Sequence, residues 1–288
     1  MKLLTTTEVA DYLRLKERKI YDLVQQGEIP FARLTGKLIF PKEAIDLWIM
    51  QHLEGDHYSH PPAPPIYAGS SDPLLDWALR EGNTGLAQLC HGSADGIQRL
   101  LEGQARVCGI HIIDPATGQF NQPSHCGLGG LRDLVIIRWA KRQQGLVVAP
   151  GNPLNITGLP CISDQSLRVV QRQPGAGAQT LLEHLLTQQG LPNLPPAQPG
   201  QTALDEDAVA IEVAGHRADC GLAIKAAAQR HGLDFIPLIE EPLDLAMRRR
   251  NFFEPCIQRL FALTSSHQQA QQMGGYDLSE CGQVIYNA

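Results

Sequence analysis

The sequence has no long hydrophobic run. Although 43% of its 288 residues are hydrophobic, no apolar stretch approaches the roughly 20 residues that a membrane-spanning helix requires. The opening stretch MKLLTTTEVADYL lacks the apolar core and the small-residue cleavage site of a secretory signal peptide. We therefore expect a cytoplasmic protein with no membrane partner. The composition, with 19% charged residues, is that of a globular protein, and the length predicts two or three domains.

The sequence also lacks any Cys-x-x-Cys pair, and its number of cysteines is odd. The seven cysteines are Cys90, Cys108, Cys126, Cys161, Cys220, Cys256 and Cys281. This scatter argues against a disulfide framework and a zinc site, and it predicts reduced thiols. Three loosely spaced histidines, His52, His57 and His60, are expected to be solvated side chains. The sequence therefore predicts neither a metal nor a cofactor.

Motifs of catalytic sites are missing as well. There is no Gly-x-Ser-x-Gly nucleophile elbow, no His-Glu-x-x-His motif and no pair of acids at a recognisable spacing. His125 and Cys126 are adjacent, but neighbouring side chains on a strand or loop point apart. We therefore expect no catalytic residue. An enzyme that acts on a phosphorylated metabolite stays an alternative.

Charge is divided unevenly along the chain. Residues 1–53 contain eight Lys and Arg and seven Asp and Glu, whereas residues 54–288 contain 16 and 23. The acidic part would be repelled by a phosphate backbone, so any DNA should be bound by the first 53 residues. Residues 54–65 include four prolines within five positions, which predicts a semi-rigid linker. We thus predict a DNA-binding domain at 1–53, a linker at 54–65 and a ligand-binding domain at 66–288.

The first 53 residues show the pattern of a helix-turn-helix. Thr6 or Thr7 is expected to cap a first helix, and Gly27 is expected to end a second one. A hairpin with its turn at Thr35-Gly36 follows, and Pro41 is expected to begin a third helix. The positions expected to face the core of this domain are Val9, Ala10, Leu13, Ile20, Leu23 and Val24.

This order of elements, with the run Tyr-x-Leu-x-x-x-Gly-x-Ile-Pro from Tyr21, resembles the winged helix-turn-helix of the excisionase and MerR-like family. The resemblance implies that the second helix enters the major groove of double-stranded DNA and that the hairpin contacts the backbone. The residues that it assigns to DNA are Lys16, Arg18, Lys19, Tyr21, Arg33 and Lys37. Taken alone, the basic run at 16–19 is equally typical of a solvated helix face. A homodimer is expected, because paired half-sites double the small DNA area that one winged helix buries.

Beyond residue 66, predicted strands alternate with helices, which indicates an α/β fold with a parallel sheet. In such a sheet the ligand crevice lies beyond the carboxyl ends of the strands. Polar or glycine-rich turns lie at three strand-to-helix junctions. They contain Ser70, Ser71 and Asp72, then Ser93, then Gly175, Ala176 and Gly177.

Each of these turns opens a helix, where unpaired N–H groups and about half a positive charge attract anions. Ser93 and one residue of the first turn are expected to be N-caps. Arg172 adds a fixed positive charge, and His111 adds a donor at the end of another strand. A bulky residue at Gly177 is expected to block the approach of the ligand and to resist a positive φ. The glycine loop is neither a dinucleotide fingerprint nor a P-loop, so a simple turn is the alternative.

The segments AGSSDPLLDWAL, RVVQRQPGAGAQTLLEHLL and GHRADCGLAIKAAAQRHGLDFIPL are similar to those of periplasmic-binding-protein-like domains related to molybdate-binding proteins. The resemblance implies a two-lobed type 2 fold. Lobe 1 would contain residues 66–149 and 239–288, and lobe 2 would contain residues 150–238. The strands GLVVAP and DFIPLIEE would form the hinge.

In that family the serine-rich first turn and the loop after the lobe 2 strand face the ligand. The complete set of ligand-binding residues that we predict is Ser70, Ser71, Ser93, His111, Arg172, Gly175, Ala176 and Gly177. The resemblance implies molybdate, tungstate or a molybdenum-cofactor species as the effector of a one-component transcription regulator. An excisionase-like architectural protein, whose second domain only contacts other proteins, is a further alternative.

Overall fold

The computed structural model of the protein describes residues 2–34, 36–51, 62–197, 202–264 and 267–288. The chain divides into two compact units, Met1–Pro62 and Ala63–Ala288. Most of the predicted linker, with His52, His57 and His60, lies outside the described residues. The predicted domain boundaries therefore stay predictions.

The first unit consists of two helices, a hairpin and a third helix. Its elements are β1 (Leu3–Leu4), α1 (Thr6–Leu13), α2 (Glu17–Gln26), β2 (Ala32–Leu34), β3 (Lys37–Pro41) and α3 (Lys42–Gln51). The prediction that Thr6 or Thr7 caps α1 was wrong, because Thr5 is the N-cap. Its Oγ1 accepts a hydrogen bond from Glu8 N at 3.3 Å, and its N–H donates to Glu8 Oε2 at 2.8 Å. This reciprocal capping box needs an acid three residues after the cap, and Thr5 is the threonine with that spacing.

The turns of this unit use left-handed backbone conformations. Arg14 ends α1 with a φ of 54°, and Gly27 ends α2 with a φ of 71°, which confirms the predicted role of that glycine. Pro41 is the last residue of β3 and not the first of α3. Thr35, predicted in the hairpin turn, lies outside the described residues. The buried core of the unit contains Leu4, Val9, Ala10, Ile20, Leu23, Ile29, Phe40 and Ile45, with Leu13 and Val24 packed against it.

The second unit is a two-lobed α/β fold, which confirms the predicted fold class. The first half of its elements is β4 (Ile66–Gly69), α4 (Pro73–Glu81), β5 (Ala87–Leu89), α5 (Ser93–Leu101), β6 (Val107–Ile110), β7 (Leu134–Val148), α6 (Pro160–Asp164), β8 (Val169–Arg172) and α7 (Gly177–Gln188). The second half is β9 (Thr202–Ala203), α8 (Glu206–Ala214), β10 (Cys220–Ile224), α9 (Lys225–Arg230), β11 (Asp234–Arg248), α10 (Arg249–Phe252), α11 (Pro255–Thr264), α12 (His267–Met273), β12 (Tyr276–Asp277) and β13 (Val284–Asn287).

The sheet is mixed and not parallel throughout. Among the described residues ten strands form one sheet, with the main order β5-β4-β6-β11-β7-β10-β8-β9. The short strands that alternate with helices pair in parallel with one another, as that alternation predicts, whereas β12 and β13 pair antiparallel with β7. The two strands of 15 residues, β7 and β11, pair antiparallel along their whole length and pass through both lobes. Their direction depends on the path of the chain between the lobes, which local alternation does not encode.

The strands β7 and β11 contain the two segments predicted as the hinge. Their pairing begins at Val148 opposite Asp234 and ends at Leu134 opposite Arg248. The register shifts between Pro237 and Ile239, next to the predicted lobe boundary. A bulge of this kind bends a strand and increases its local twist.

Each lobe has its own hydrophobic core on both faces of the sheet. Strand β7 contributes to all of them, because successive side chains of a strand point to opposite faces. Ile137 and Ile136 belong to the two buried clusters of lobe 1, and near the other end of β7 Leu146 and Val147 belong to the two clusters formed with residues of lobe 2. Separate cores allow the lobes to move as bodies about the strands that join them. No helix of the described chain is both long and apolar enough to cross a membrane.

Candidate functional site

Turns of both lobes enclose a small polar cavity of about 10 Å³. It is lined by Ser70, Ser71, Cys90, Gly92, His111, Arg172, Ala176, Gly177, Leu204 and Glu206. Six of the eight predicted ligand-binding residues are in this set, and the other two, Ser93 and Gly175, contact lining residues. A volume of this size holds about one water molecule. The structure therefore brings the predicted residues together in a closed cleft.

The hydroxyl group of Ser70 lines the cavity and contacts the hydroxyl group of Ser93 behind it. They lie 2.8 Å apart, and both side chains are buried. The backbone N–H of His111 donates to Ser93 Oγ at 3.3 Å. The predicted capping role of Ser93 was wrong, because Gly92 is the N-cap of α5 and Ser93 is its first residue. Since a hydroxyl both donates and accepts, this pair can present either function to a ligand.

Two helices begin at the cavity without a side-chain cap. Their N-cap residues are Gly92 for α5 and Ala176 for α7, and neither of these provides a side-chain hydrogen bond to its helix. The nearby helix α4 differs, since Asp72 caps it by accepting from Leu75 N at 2.9 Å. An uncapped helix start exposes N–H groups and about half a positive charge. The N-terminal starts of α5 and α7 therefore create a positive potential without any charged side chain.

The glycine loop of lobe 2 packs closely on lobe 1. Ala94 N donates to Gly175 O at 3.4 Å, and Gly175 has a φ of 83°. A Cβ atom on Gly177 would lie 2.9 Å from both Cε1 and Nδ1 of the His111 ring. The expectation of a positive φ at Gly177 was wrong, because the residue with positive φ is Gly175. Glycine is needed at 177 for the close approach of His111, and not for the conformation of the backbone.

Arg172 lies in the cavity wall, but its charge is already paired. Its Nη1 contacts Glu206 Oε1 at 3.1 Å, and both side chains are almost fully buried. Its other nitrogens donate to the carbonyl oxygens of Ala203 at 3.2 Å and Leu204 at 3.1 Å. The second carboxylate oxygen of Glu206 accepts from Ile224 N at 3.1 Å. The guanidinium of Arg172, which we predicted to contact an anionic ligand, is thus held beside a buried carboxylate.

A buried charged network lies behind His111. Its Nδ1 is 3.2 Å from Glu241 Oε2, and Glu241 Oε1 accepts from Arg142 and, at 2.8 Å, from Gln144. Arg142 also donates to Asp72 Oδ2 at 3.0 Å. Burial alone would raise the pKa of Glu241, but Arg142 and His111 outweigh it and lower that pKa to about 2. Because Arg142 is on β7 and Glu241 on β11, the network joins the cavity to the strands that connect the lobes.

A second carboxyl group, Asp76, lies in the first turn of α4. Its Oδ2 accepts from Ser71 Oγ at 3.5 Å, and its Oδ1 is buried without a hydrogen-bond partner. Burial, and then the charge of Asp72, raise the pKa of Asp76 to about 6. Burial likewise raises the pKa of the Cys90 thiol to about 12, so this lining side chain stays protonated.

Sequence reasoning missed several residues of the cleft. They are Cys90, Gly92, Arg142, Leu204, Glu206 and Glu241. A signal was present for Arg142, since it is a charged residue within a strand whose other residues are mainly buried. Glu206 gave no such signal, because an acid in the first turn of a helix is common.

All six predicted DNA-binding residues are exposed on the first unit. They are Lys16, Arg18, Lys19, Tyr21, Arg33 and Lys37. Lys16 is the N-cap of α2, and Arg18 and Lys19 are in its first turn. Tyr21, Arg33 and Lys37 line one open groove of about 890 Å³ together with the start of α1. The helix and the hairpin thus present polar groups to the same surface, while their role toward DNA stays a prediction.

Two protein-family models match this chain. Residues 77–265 match a model described as the PBP superfamily domain, which is more than half of the chain. Residues 3–53 match a model described as a helix-turn-helix domain.

One relative matches this chain over nearly the whole length of both proteins, and a second matches only a part of it. The uncharacterized protein YvgK of Bacillus subtilis strain 168 is 25% identical over 307 residues, which cover 98% of this chain and 97% of that protein. An uncharacterized protein in the ferredoxin 2Fe-2S gene 5′ region of Clostridium pasteurianum is 33% identical over 82 residues. That match covers 27% of this chain and 73% of that protein.

Solved structures show the same fold at low identity. A phosphate ABC transporter substrate-binding protein of Clostridium perfringens with bound phosphate has a TM-score of 0.53 at 13% identity, covering 72% of this chain and 95% of that chain. A hydrogen-peroxide-bound mutant of OxyR from Corynebacterium glutamicum has a TM-score of 0.52 at 13% identity, and the match covers 93% of this chain and 89% of that chain. These similarities describe the fold and carry no statement about the ligand.

Proposed function

This chain belongs to the PBP superfamily, and from that premise we propose that it is a one-component transcription regulator. A helix-turn-helix domain precedes the superfamily domain in the same chain. This combination of a DNA-binding domain with a ligand-binding fold is the observation that carries the proposal. A DNA partner also favours the cytoplasm as its location.

We propose that the effector is a small anion bound in the cleft between the lobes. The support is the pair of uncapped helix starts at Gly92 and Ala176, together with the hydroxyls of Ser70, Ser71 and Ser93. The resemblance to molybdate-binding proteins makes molybdate, tungstate or a molybdenum-cofactor species the first candidates. The phosphate bound by the Clostridium perfringens protein adds a second tetrahedral oxyanion to be tested.

The effector is proposed to act by changing the balance between open and closed lobes. The closed cavity of about 10 Å³ is too small for an oxyanion, so binding requires the turns of the two lobes to separate slightly. A ligand shifts such an equilibrium only by its different affinities for the two forms. The changed lobe arrangement then alters the affinity of the regulator for DNA.

The DNA contact is proposed to involve α2 and the hairpin of the first unit. Lys16, Arg18, Lys19 and Tyr21 would face the major groove, and Arg33 and Lys37 would face the backbone. A homodimer would present two such surfaces to paired half-sites. The residues of the second unit would bind the effector and take no part in the DNA contact.

A ligand screen with the full-length protein tests this proposal. Thermal unfolding is followed with molybdate, tungstate, phosphate and sulfate, and an effector at a hundredfold excess over its dissociation constant should stabilise the protein by about 2.7 kcal/mol. DNA is selected from a random pool in the presence and absence of any anion that binds. An enriched sequence whose affinity changes with the anion is expected. The architectural alternative would be favoured by DNA binding that no anion alters, and the enzymatic one by turnover of a phosphorylated compound.

A further inference from the structure

The wall of the cavity contains a carboxylate that an anion site does not need. Glu206 is the first residue of α8, lines the cavity and is only 4% exposed. Its two oxygens are held by different donors, Arg172 Nη1 at 3.1 Å and the backbone N–H of Ile224 at 3.1 Å. These contacts orient the side chain and leave lone pairs on both oxygens, because each carboxylate oxygen accepts more than one hydrogen bond.

The pair of Arg172 and Glu206 also cancels the side-chain charge of the wall. Among the lining residues that the structure describes, these two are the ones with a fixed charge. Arg172 cannot turn freely toward a ligand, since it donates to Glu206 and to the carbonyl oxygens of Ala203 and Leu204. The positive potential available to an anion therefore comes mainly from the starts of α5 and α7.

A buried carboxylate discriminates between oxyanions by their protons. As an ionised group Glu206 only accepts hydrogen bonds, and a fully deprotonated oxyanion such as molybdate, tungstate or sulfate also only accepts. Two such groups in contact repel each other, and the repulsion is strong in a site shielded from water. Hydrogen phosphate keeps a proton near neutral pH, so it can donate to the carboxylate instead. The same holds for other small oxyanions that carry an acidic hydroxyl.

We infer that Glu206 determines the specificity of the cleft and selects an oxyanion that carries a hydrogen-bond donor over a fully deprotonated one. This inference rests on the proposed anion-sensing function and narrows its ligand class. It favours protonated oxyanions over the bare molybdate and tungstate that the family resemblance suggests.

The test is calorimetric titration of the full-length protein with inorganic phosphate, sulfate, molybdate and tungstate at neutral pH. The native protein is expected to bind phosphate at least tenfold more tightly than each of the other three. Glu206→Gln keeps the shape and an acceptor for Arg172 but removes the charge. It should strengthen the binding of sulfate and molybdate by tenfold or more and bring the four affinities together.

Two further variants separate charge from packing. Glu206→Asp keeps the charge and is expected to keep the order of affinities, although all four bind more weakly. Glu212→Gln is the matched control, because Glu212 is on the same helix but pairs with Arg217 at the surface. It should leave every affinity within twofold of the native value. Loss of selectivity in Glu206→Asp to the same degree as in Glu206→Gln would show that packing, not charge, is responsible.

The outcomes also distinguish this inference from the proposed function. If the native protein binds sulfate or molybdate as tightly as phosphate, the selective role of Glu206 is overturned while the anion sensor stands. This comparison uses the native protein alone, so the inference can be tested even if Glu206→Gln does not fold. If none of the four anions binds the native protein or any variant, the anion-sensing function fails, and the inference fails with it.

Discussion

The side chain of His111 and the backbone of Gly177 come so close that a Cβ atom on residue 177 would lie 2.9 Å from the imidazole Nδ1. His111 directly follows β6 in lobe 1 and Gly177 begins α7 in lobe 2, so this close approach joins the two lobes. The absence of a side chain at residue 177 therefore permits this close approach.

Replacing Gly177 by Ala should add a methyl group to the cavity wall at the start of α7, where the anion is proposed to bind, without unfolding either lobe. Alanine is a good first helical residue, and no positive φ is required at this position. We expect anion affinity to fall at least tenfold in calorimetric titration, with an unchanged circular dichroism spectrum. The control is Gly130→Ala, where an added Cβ meets no atom within 4 Å. Normal binding by Gly177→Ala would mean that the anion does not come close to the start of α7.

Replacing Arg172 by Met should strongly destabilise lobe 2. The change leaves the carboxylate of Glu206 buried without its cation, which typically costs about 3–5 kcal/mol. Urea unfolding should show most of this loss recovered in the double variant Arg172→Met/Glu206→Gln, because the buried charge is then absent. Arg217→Met serves as the control, since its pair with Glu212 is largely exposed and is worth about 0–1 kcal/mol. Equal losses in the single and double variants would contradict the importance of the pair.

Replacing Asp76 by Asn should change stability in a way that depends on pH. The stability of the variant minus that of the native chain should be greater at neutral pH than at acidic pH. Folding raises the pKa of Asp76 from its ordinary value of 3.8 to about 6. The folded state therefore binds this proton more tightly, and the stabilisation is complete below about 3.8 and lost as pH rises through about 6. Thermal unfolding between pH 4 and pH 8 measures the difference. A curve for Asp76→Asn that runs parallel to the curve of the native protein would refute the assignment.

Replacing Arg18 and Lys37 by Ala should affect DNA binding in different ways. Arg18 is exposed in the first turn of α2, where a base contact is worth about 1–3 kcal/mol and its loss relaxes sequence preference. Lys37 is on the hairpin, so its loss should weaken binding to all sequences alike and reduce the salt dependence. Affinities for the selected site and for single-base variants measure both effects. Equal, sequence-independent losses would argue against α2 as the element that recognises bases.

The amino-acid sequence by itself determined the local elements of this protein. The helix-turn-helix, the glycine that ends α2 and the polar turns before α4, α5 and α7 all follow from signals within a few residues of one another. The position of the cleft followed as well, because parallel strands that alternate with helices place these turns at one edge of the sheet. Six of the eight residues expected there do line the cavity.

The predicted N-cap residues of two helices were wrong by only one or two positions. Thr5 replaced Thr6 or Thr7 as the cap of α1, and Gly92 replaced Ser93 as the cap of α5. In both cases several candidate residues are adjacent, and only the backbone conformation selects one of them.

Only the tertiary structure decided which charges meet in the cleft. Glu206 reaches Arg172 from 34 positions away, and Glu241 reaches His111 from 130 positions away. The antiparallel course of β7 and β11 brings Glu241 and Arg142 together, and it was not encoded by local alternation. A sequence pattern reports which side of its own element a residue occupies, whereas the charge that faces it across the fold depends on the path of the whole chain. The electrostatics that would select a ligand are for that reason a property of the folded protein.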